Sequence, residues 1–73
     1  MDYQCLCEII NNIIPVSKTI TPDSKLASDL GLCSFDMMLL LFNIEETAGV
    51  QINISNLKKN MTVKELLNVI EQL

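Results

Sequence analysis

Hydrophobic residues recur three or four positions apart in three parts of this chain, which predicts three main helices. The first runs from about Asp2 to Ile14 and ends before Pro15, because a residue that precedes proline avoids helical backbone. The second runs from about Ser34 to Ala48, where Gly49 can adopt the left-handed conformation that ends many helices. The apolar face of the first helix consists of Leu6, Ile9, Ile10 and Ile13.

The last helix is predicted to begin at Thr62, where the sequence Thr62-Val63-Lys64-Glu65 fits a capping box. A shorter helix of one or two turns is predicted from Ser55 to Asn60, with Ser55 as its cap. The alternating residues 50–54 before it form an extended connector, because no second strand is available to pair with them. The apolar face of the last helix consists of Val63, Leu66, Leu67 and Ile70.

A long connection from Pro15 to Cys33 joins the first two main helices. In it, Thr21 is placed to cap a short turn, with Pro22 at the first position of that turn. Leu26 and Leu30 are expected to anchor the connection in the core. The predicted fold is therefore all-α, a small four-helix bundle of three main helices plus a short third helix, with a long first loop.

The composition agrees with this fold and reduces the number of function classes that fit the chain. A chain of 73 residues predicts a single domain, residues 1–73, whose thin core leaves little room for an enclosed catalytic cavity. A binding or carrier module is therefore favoured over a free-standing enzyme. Acidic residues outnumber basic ones by 9 to 5, and every basic residue is Lys, which argues against nucleic acid and for partners with basic surfaces.

The three cysteines, Cys5, Cys7 and Cys33, form no disulfide framework and are expected to be reduced thiols. The chain has no His, so a Cys/His zinc site is excluded and no metal site is predicted. The start of the chain lacks a basic signal-peptide region, and no apolar run is long enough to span a bilayer. We therefore expect a cytoplasmic monomer without membrane insertion.

The second predicted helix is apolar on two sides. One side has the spacing of an ordinary core face and consists of Met37, Leu40, Leu41, Ile44 and Ala48. The opposite side, called the outer stripe below, consists of Phe35, Met38, Leu39 and Phe42. Polar residues fringe this stripe, namely Asp36, Asn43, Glu45 and Glu46. Either the helix is buried on both sides, or the outer stripe is a docking patch with an acidic rim.

The stretch Asp29-Leu30-Gly31-Leu32-Cys33-Ser34-Phe35 places a serine at the start of this helix, after a flexible glycine. Unpaired N–H groups and the helix dipole favour an anion there, so a phosphodiester on Ser34 would be stabilised. The alternative is that Ser34 only caps the helix. A hydrolytic Ser34 is disfavoured, because the chain has no His to act as its base and no Gly-x-Ser-x-Gly motif.

This stretch resembles the Asp-Leu-Gly-x-Asp-Ser-Leu motif of the acyl carrier protein family, which includes the peptidyl and D-alanyl carriers. Segments 20–26, 43–46, 50–52 and 61–63 extend the resemblance over essentially the whole chain. It implies that a phosphopantetheinyl transferase attaches 4'-phosphopantetheine from coenzyme A to Ser34. The thiol of this arm would hold an acyl or aminoacyl group as a thioester, for loading and condensing enzymes of fatty acid, polyketide or nonribosomal peptide synthesis.

The resemblance also implies that partner enzymes dock on the helix that begins at Ser34. The implied docking residues are Phe35, Asp36, Met38, Leu39, Phe42, Glu45 and Glu46. Cys33 replaces the acid that usually precedes the serine, and Leu39 replaces a further acid of the family's second helix. These departures predict partner binding that depends less on salt than in fatty-acid synthesis carriers.

Two further questions stay open at this point. Cys33 is either a tolerated small residue or a thiol that forms a disulfide with the arm. The alternative functions are a D-alanyl carrier, or a non-carrier helical protein interaction module in which Ser34 only caps its helix. The stretch Ile20-Thr21-Pro22-Asp23-Ser24 and the apolar docking face favour a stand-alone carrier of a specialised biosynthetic pathway.

Overall fold

The structure is a computed structural model that describes residues 1–14, 19–53, 55, 57–58 and 60–72. It contains three helices, α1 (Tyr3–Ile13), α2 (Ser34–Ala48) and α3 (Val63–Glu71). Within the described ranges the only extended pairing is one antiparallel bridge between Lys25 and Thr62. The all-α bundle with a long first loop is confirmed. The short helix predicted over Ser55–Asn60 falls partly on residues outside those ranges.

The ends of α1 and α2 follow from local hydrogen bonding. Asp2 precedes α1, and its Oδ1 accepts a hydrogen bond from the Cys5 N–H at 2.8 Å. This satisfies one of the N–H groups that a helix start leaves without an intrahelical partner. Gly49 ends α2 with φ 69°, and its N–H donates to the Glu45 carbonyl at 2.9 Å. The predicted boundaries of both helices are therefore correct to within one residue.

The capping box predicted at the start of α3 is present. The Thr62 N–H donates to Glu65 Oε1 at 3.0 Å, and the Glu65 N–H donates to Thr62 Oγ1 at 3.1 Å. Hydrogen bonds from Thr62, chiefly from its backbone N–H, lower the pKa of Glu65, and nearby Lys58 and Lys25 act in the same direction. The charged carboxylate thus favours the folded start of α3.

Side chains from the three helices and from the segments between them pack into one apolar core. Its most fully buried side chains stabilise the fold by about 1.5–3 kcal/mol each relative to exposure. Ile9, Ile13, Met37 and Leu67, which the helical spacing placed on core faces, are only partly buried at the margin of this core. Among the described residues, the buried hydrophobic ones are Leu6, Ile10, Ile14, Leu26, Leu30, Leu32, Leu40, Leu41, Ile44, Ile52, Met61, Val63, Leu66 and Ile70.

The long first loop lies against the segment that leads into α3. The Leu26 N–H donates to the Met61 carbonyl at 2.9 Å. The Val63 N–H donates to the Ser24 carbonyl at 3.0 Å. Leu26 is only 1% exposed, so the predicted anchoring of the loop by this leucine is confirmed. Backbone hydrogen bonds and apolar burial therefore hold the same part of the loop.

The turn before this anchor differs in detail from the prediction. The Thr21 N–H donates to the Ser24 hydroxyl, and the Ser24 N–H donates to the Thr21 carbonyl, both at 3.0 Å. The capping oxygen therefore belongs to Ser24 rather than to Thr21. Ser24 is nearly buried, and its hydroxyl oxygen is hydrogen-bonded to the Thr21 N–H. None of the helices in the described ranges has the length and apolar character that a bilayer span requires.

We predict that Glu65→Gln makes the stability of the protein less dependent on pH. Because folding lowers the pKa of Glu65, the contribution of its carboxylate is complete above the ordinary pKa of Glu and disappears as the pH falls through the lowered value. The variant should unfold at lower urea concentration than the wild type at about pH 7, and this difference should shrink toward about pH 3.

Glu71→Gln is the control for this experiment, because Glu71 lies at the opposite end of the same helix. A carboxylate there opposes the helix dipole, so its loss should not destabilise the protein at neutral pH. If wild type and Glu65→Gln differed in their unfolding urea concentration by the same amount at both pH values, the assigned role of the Glu65 charge would be contradicted.

Candidate functional site

Ser34 is the first residue of α2 and is exposed. The residue that caps the helix is Cys33, whose backbone is extended with φ −89° and ψ 179°. The alternative in which Ser34 serves as the cap of α2 is therefore wrong. Because the backbone of Cys33 makes the change into helix, Ser34 presents its hydroxyl at the N-terminal end of α2 without being needed as a cap.

Asp36 holds this helix start together. Its Oδ2 accepts hydrogen bonds from both the N–H and the Sγ–H of Cys33, each at 3.3 Å. A carboxylate in the first turn of a helix also interacts favourably with the positive end of the helix dipole. Asp36, which the resemblance placed among the docking residues, thus directs its charge at its own helix terminus.

The loop before Cys33 is folded back on itself. Asp29 Oδ2 accepts a hydrogen bond from the Lys25 N–H at 2.8 Å. Gly31 has φ 73°, a left-handed conformation that glycine adopts without steric cost. The Leu32 N–H then donates to the Leu26 carbonyl at 2.9 Å, and Leu32 is buried. The loop therefore anchors Leu32 in the core and brings the next two residues to the surface.

An open groove of about 690 Å³ lies beside Ser34. Its walls come from the first loop, from the start of α2 and from the segment before α3, so it forms only when the chain is folded. Leucine and methionine side chains give it an apolar character, and Ser28, Lys58 and Asn60 add polar groups. The lining residues are Leu26, Ala27, Ser28, Leu32, Cys33, Ser34, Met37, Leu57, Lys58 and Asn60.

Sequence reasoning missed the groove, and above all its third wall, Leu57, Lys58 and Asn60. No local pattern marks these residues, because their role depends on contact with a loop about thirty positions earlier. The nearest signal was the asparagine at position 60, since asparagine tolerates the left-handed backbone better than most residues. Asn60 has φ 57°.

The outer stripe of α2 faces solvent. Phe35 is 67% exposed, Met38 63%, Leu39 42% and Phe42 50%. On the other side of the helix, Leu40, Leu41 and Ile44 are buried in the core. The alternative in which α2 is buried on both sides is therefore wrong. Four large apolar side chains form a contiguous patch on one helix, an arrangement that monomeric surfaces usually avoid unless it binds something.

The acidic rim of the outer stripe is uneven. Glu45 is half-buried, and its Oε2 accepts a hydrogen bond from the Ile52 N–H at 2.9 Å. Glu46 is exposed, and the last turn of α2 contains no basic residue. The carboxylate of Asp36 is directed at Cys33, as described above. Negative charge available to a partner is therefore concentrated at the C-terminal end of α2, where the helix dipole adds to it.

A family model described as a phosphopantetheine attachment site matches residues 4–70 of this chain. The chain belongs to the acyl carrier protein family. An acyl carrier protein of Coprothermobacter proteolyticus is 31% identical over 70 residues, covering 94% of this chain and 85% of that protein. An acyl carrier protein of Campylobacter hominis is 30% identical over 71 residues, covering 90% of each chain.

A solved structure supports the same assignment for the fold of this carrier protein. The chain superposes on a type II peptidyl carrier protein of collismycin biosynthesis with a TM-score of 0.70. The two are 26% identical, and the match covers 100% of this chain and 95% of the other. This carrier protein is thus similar both to acyl carriers and to a peptidyl carrier.

The start of α2 fits the phosphopantetheine cofactor of this family. A phosphodiester needs an accessible hydroxyl, and Ser34 is exposed. It also needs a favourable environment for its negative charge, which the first N–H groups and the dipole of a 15-residue helix supply. The groove beside Ser34 adds an apolar surface along which an arm can lie.

We predict that Cys33→Ser stabilises the carrier protein by about 0.5–1 kcal/mol, because a serine hydroxyl is a far better helix cap than a thiol. The free energy of unfolding, measured by urea titration, should rise by this amount without a change in its dependence on urea. Cys5→Ser, within α1, tests whether the gain depends on the capping position, and it should give none. A loss of stability in Cys33→Ser would show that the thiol contact with Asp36 outweighs capping.

Proposed function

We propose that Ser34 is the attachment point of the phosphopantetheine arm and that this chain carries acyl or aminoacyl groups on the arm as thioesters. The observation that supports this proposal best is the exposed hydroxyl of Ser34 at the N-terminus of α2, beside an open groove. In this position a transferase can reach the hydroxyl, and the product phosphodiester lies in the favourable field of the helix.

The chain supplies an acceptor for the arm but not the means to activate it. The sequence contains no His, and the nearest carboxylate on α2, that of Asp36, is hydrogen-bonded to Cys33. We therefore propose that the phosphopantetheinyl transferase provides the general base that removes the Ser34 proton. With the arm attached, the chain acts as the substrate of successive loading and condensing enzymes, and the thioester chemistry takes place in their active sites.

The groove beside Ser34 supports a second part of the proposal, that it shelters the arm or the apolar part of its cargo. Its floor includes Leu26, Leu32 and Met37, and its volume of about 690 Å³ is ample for a small acyl chain. Because the groove is open rather than enclosed, a partner enzyme can withdraw the cargo without unfolding the bundle.

The outer stripe supports docking of partner enzymes on α2. Its side chains are apolar and exposed, and the carboxylates of Asp36 and Glu45 are held in hydrogen bonds within the chain. We propose that partners present an apolar patch to Phe35, Met38, Leu39 and Phe42, with at most one or two basic side chains near Glu46. The hydrophobic contact supplies most of the affinity, and the charge at Glu46 helps to orient the helix.

We further propose that this carrier works in the cytoplasm of its cell and serves a specialised pathway. The three free thiols favour a reducing compartment. The structural similarity to a type II peptidyl carrier protein favours aminoacyl cargo among the cargo classes.

The decisive experiment is modification of Ser34. Incubation with coenzyme A and a transferase of broad specificity should add one phosphopantetheine to the wild type, and Ser34→Ala should abolish the addition. Since Ser34 is not the cap of α2, the substitution should change the free energy of unfolding by less than about 0.5 kcal/mol. Intact-mass spectrometry reads the modification, and circular dichroism confirms that the variant is folded.

Ser55→Ala is the matched control, because Ser55 is exposed and lies outside the three helices. It should be modified at the wild-type rate. A wild-type chain that stays unmodified with every transferase, or a Ser34→Ala chain that is still modified, would rule out the proposed attachment. The first result would favour a non-carrier interaction module.

The docking proposal predicts a shallow salt dependence. With the transferase as the partner, Met38→Ala should lower kcat/KM at least about fivefold, because truncation of an interface anchor typically costs about 1 kcal/mol or more. Glu46→Gln should lower it less than about twofold, and raising salt from about 0.1 to 0.5 M less than about threefold. A steep loss of activity with salt, together with a normal Met38→Ala variant, would contradict an apolar docking surface.

A further inference from the structure

One asparagine side chain joins two walls of the groove beside Ser34. Asn60 Oδ1 accepts hydrogen bonds from the Ala27 N–H at 3.1 Å and from the Ser28 N–H at 2.9 Å. Asn60 Nδ2 donates to the Ser28 hydroxyl at 3.2 Å. We call these three hydrogen bonds the Asn60 clamp. They connect residues 32 or 33 positions apart, so they report tertiary structure rather than a local turn.

The clamp continues a row of contacts between the first loop and the segment before α3. Backbone bonds hold the loop as far as Leu26, whose N–H donates to the Met61 carbonyl. Beyond Leu26, the contact is made by a side chain instead. The amide oxygen of Asn60 accepts hydrogen bonds from the next two N–H groups of the loop. The left-handed backbone of Asn60, with φ 57°, sets the direction of the chain at this point.

The clamped residues support the rest of the loop that leads to Ser34. The Gly31 N–H donates to the carbonyl of Ala27 at 3.0 Å. Gly31 is followed by the buried Leu32, and Ser34 lies only two residues further on. Ala27 is therefore linked by a hydrogen bond to the residues that lead into α2.

We propose that Asn60 is a positioning residue that fixes residues 27–33 and thereby the placement of the Ser34 hydroxyl and the width of the groove. This inference rests on the proposed function of Ser34. The clamp is exposed, so water competes for its polar groups and it can open without disruption of the core.

Two substitutions separate the clamp from general stability. Asn60→Gly removes the amide, while glycine adopts a positive φ without steric cost. Asn60→Asp keeps an oxygen acceptor for the Ala27 and Ser28 N–H groups and loses only the donor to the Ser28 hydroxyl. Asp2→Ala is the matched control, because it also removes a side-chain acceptor of a backbone N–H, at the start of α1.

The first measurement is amide hydrogen exchange of Ala27 and Ser28 in the unmodified chain. Asn60→Gly should accelerate exchange at both amides by about tenfold, since each lost hydrogen bond contributes a factor of roughly two to ten. Asn60→Asp should stay close to the wild type. Asp2→Ala should accelerate exchange at Ala27 and Ser28 no more than at the amides of the core. Equal exchange at the two amides in Asn60→Gly and Asp2→Ala would overturn the inference.

The second measurement is the rate of phosphopantetheine transfer to Ser34. Because the outer stripe is unchanged in Asn60→Gly, KM for the carrier should stay near the wild-type value, while kcat should fall about fivefold or more through misplacement of the hydroxyl. Asn60→Asp should restore most of kcat. A normal kcat in a variant whose loop exchanges faster would overturn the positioning role.

The two measurements also separate this inference from the proposed function. If the wild type accepts no arm from any transferase, the proposed attachment at Ser34 fails. Hydrogen exchange still decides in that case whether Asn60 fixes the loop. If the wild type is modified and Asn60→Gly matches it in both measurements, only the clamp inference fails.

Discussion

Burial of three leucines in the first loop is the constraint on which the rest of this structure depends. Leu26, Leu30 and Leu32 are each less than 5% exposed, so the loop is part of the core rather than a tether between helices. A chain of 73 residues builds only a thin core, and these leucines supply three of the 14 buried hydrophobic side chains among the described residues. Because the loop is held in this way, the start of α2 has a defined position, and Ser34 is exposed to solvent.

The two ends of α2 have different electrostatic characters. At the N-terminus, the Asp36 carboxylate accepts hydrogen bonds from the Cys33 N–H and thiol. The positive end of the dipole therefore already has a carboxylate of the same chain beside it. At the C-terminus, Glu46 is exposed in a turn without basic residues. Between these ends lies the apolar outer stripe. The proposed docking surface is thus hydrophobic, and the exposed carboxylate of Glu46 lies at the end of α2 that is distant from Ser34.

Membership of the acyl carrier protein family and the local geometry lead to the same account of the molecule. Carrier proteins must offer a reachable hydroxyl, a surface for many partners and a fold that survives repeated docking. This chain combines an exposed Ser34, an exposed apolar face and a groove that three segments build together. The hydrogen bonds of the Asn60 clamp join one wall of the groove to the loop that leads to Ser34.

The sequence by itself determined the features that depend on neighbours along the chain. Helical spacing and capping chemistry placed both ends of α1 and α2 and the start of α3 to within one residue, and the capping box of Thr62 and Glu65 was correctly predicted. These features are local, because capping and apolar spacing act over three or four residues. The short motif around Ser34 also pointed to the family and to the cofactor.

Tertiary structure alone decided which apolar residues are covered and which polar groups are engaged. A helical wheel did not show whether the outer stripe is buried, since that depends on whether another segment packs over it. It likewise did not show that Glu45 is turned to the Ile52 N–H, or that Asn60 reaches Ala27. Each of these outcomes requires segments far apart in sequence to meet, and no periodicity along one segment records where its neighbour will lie.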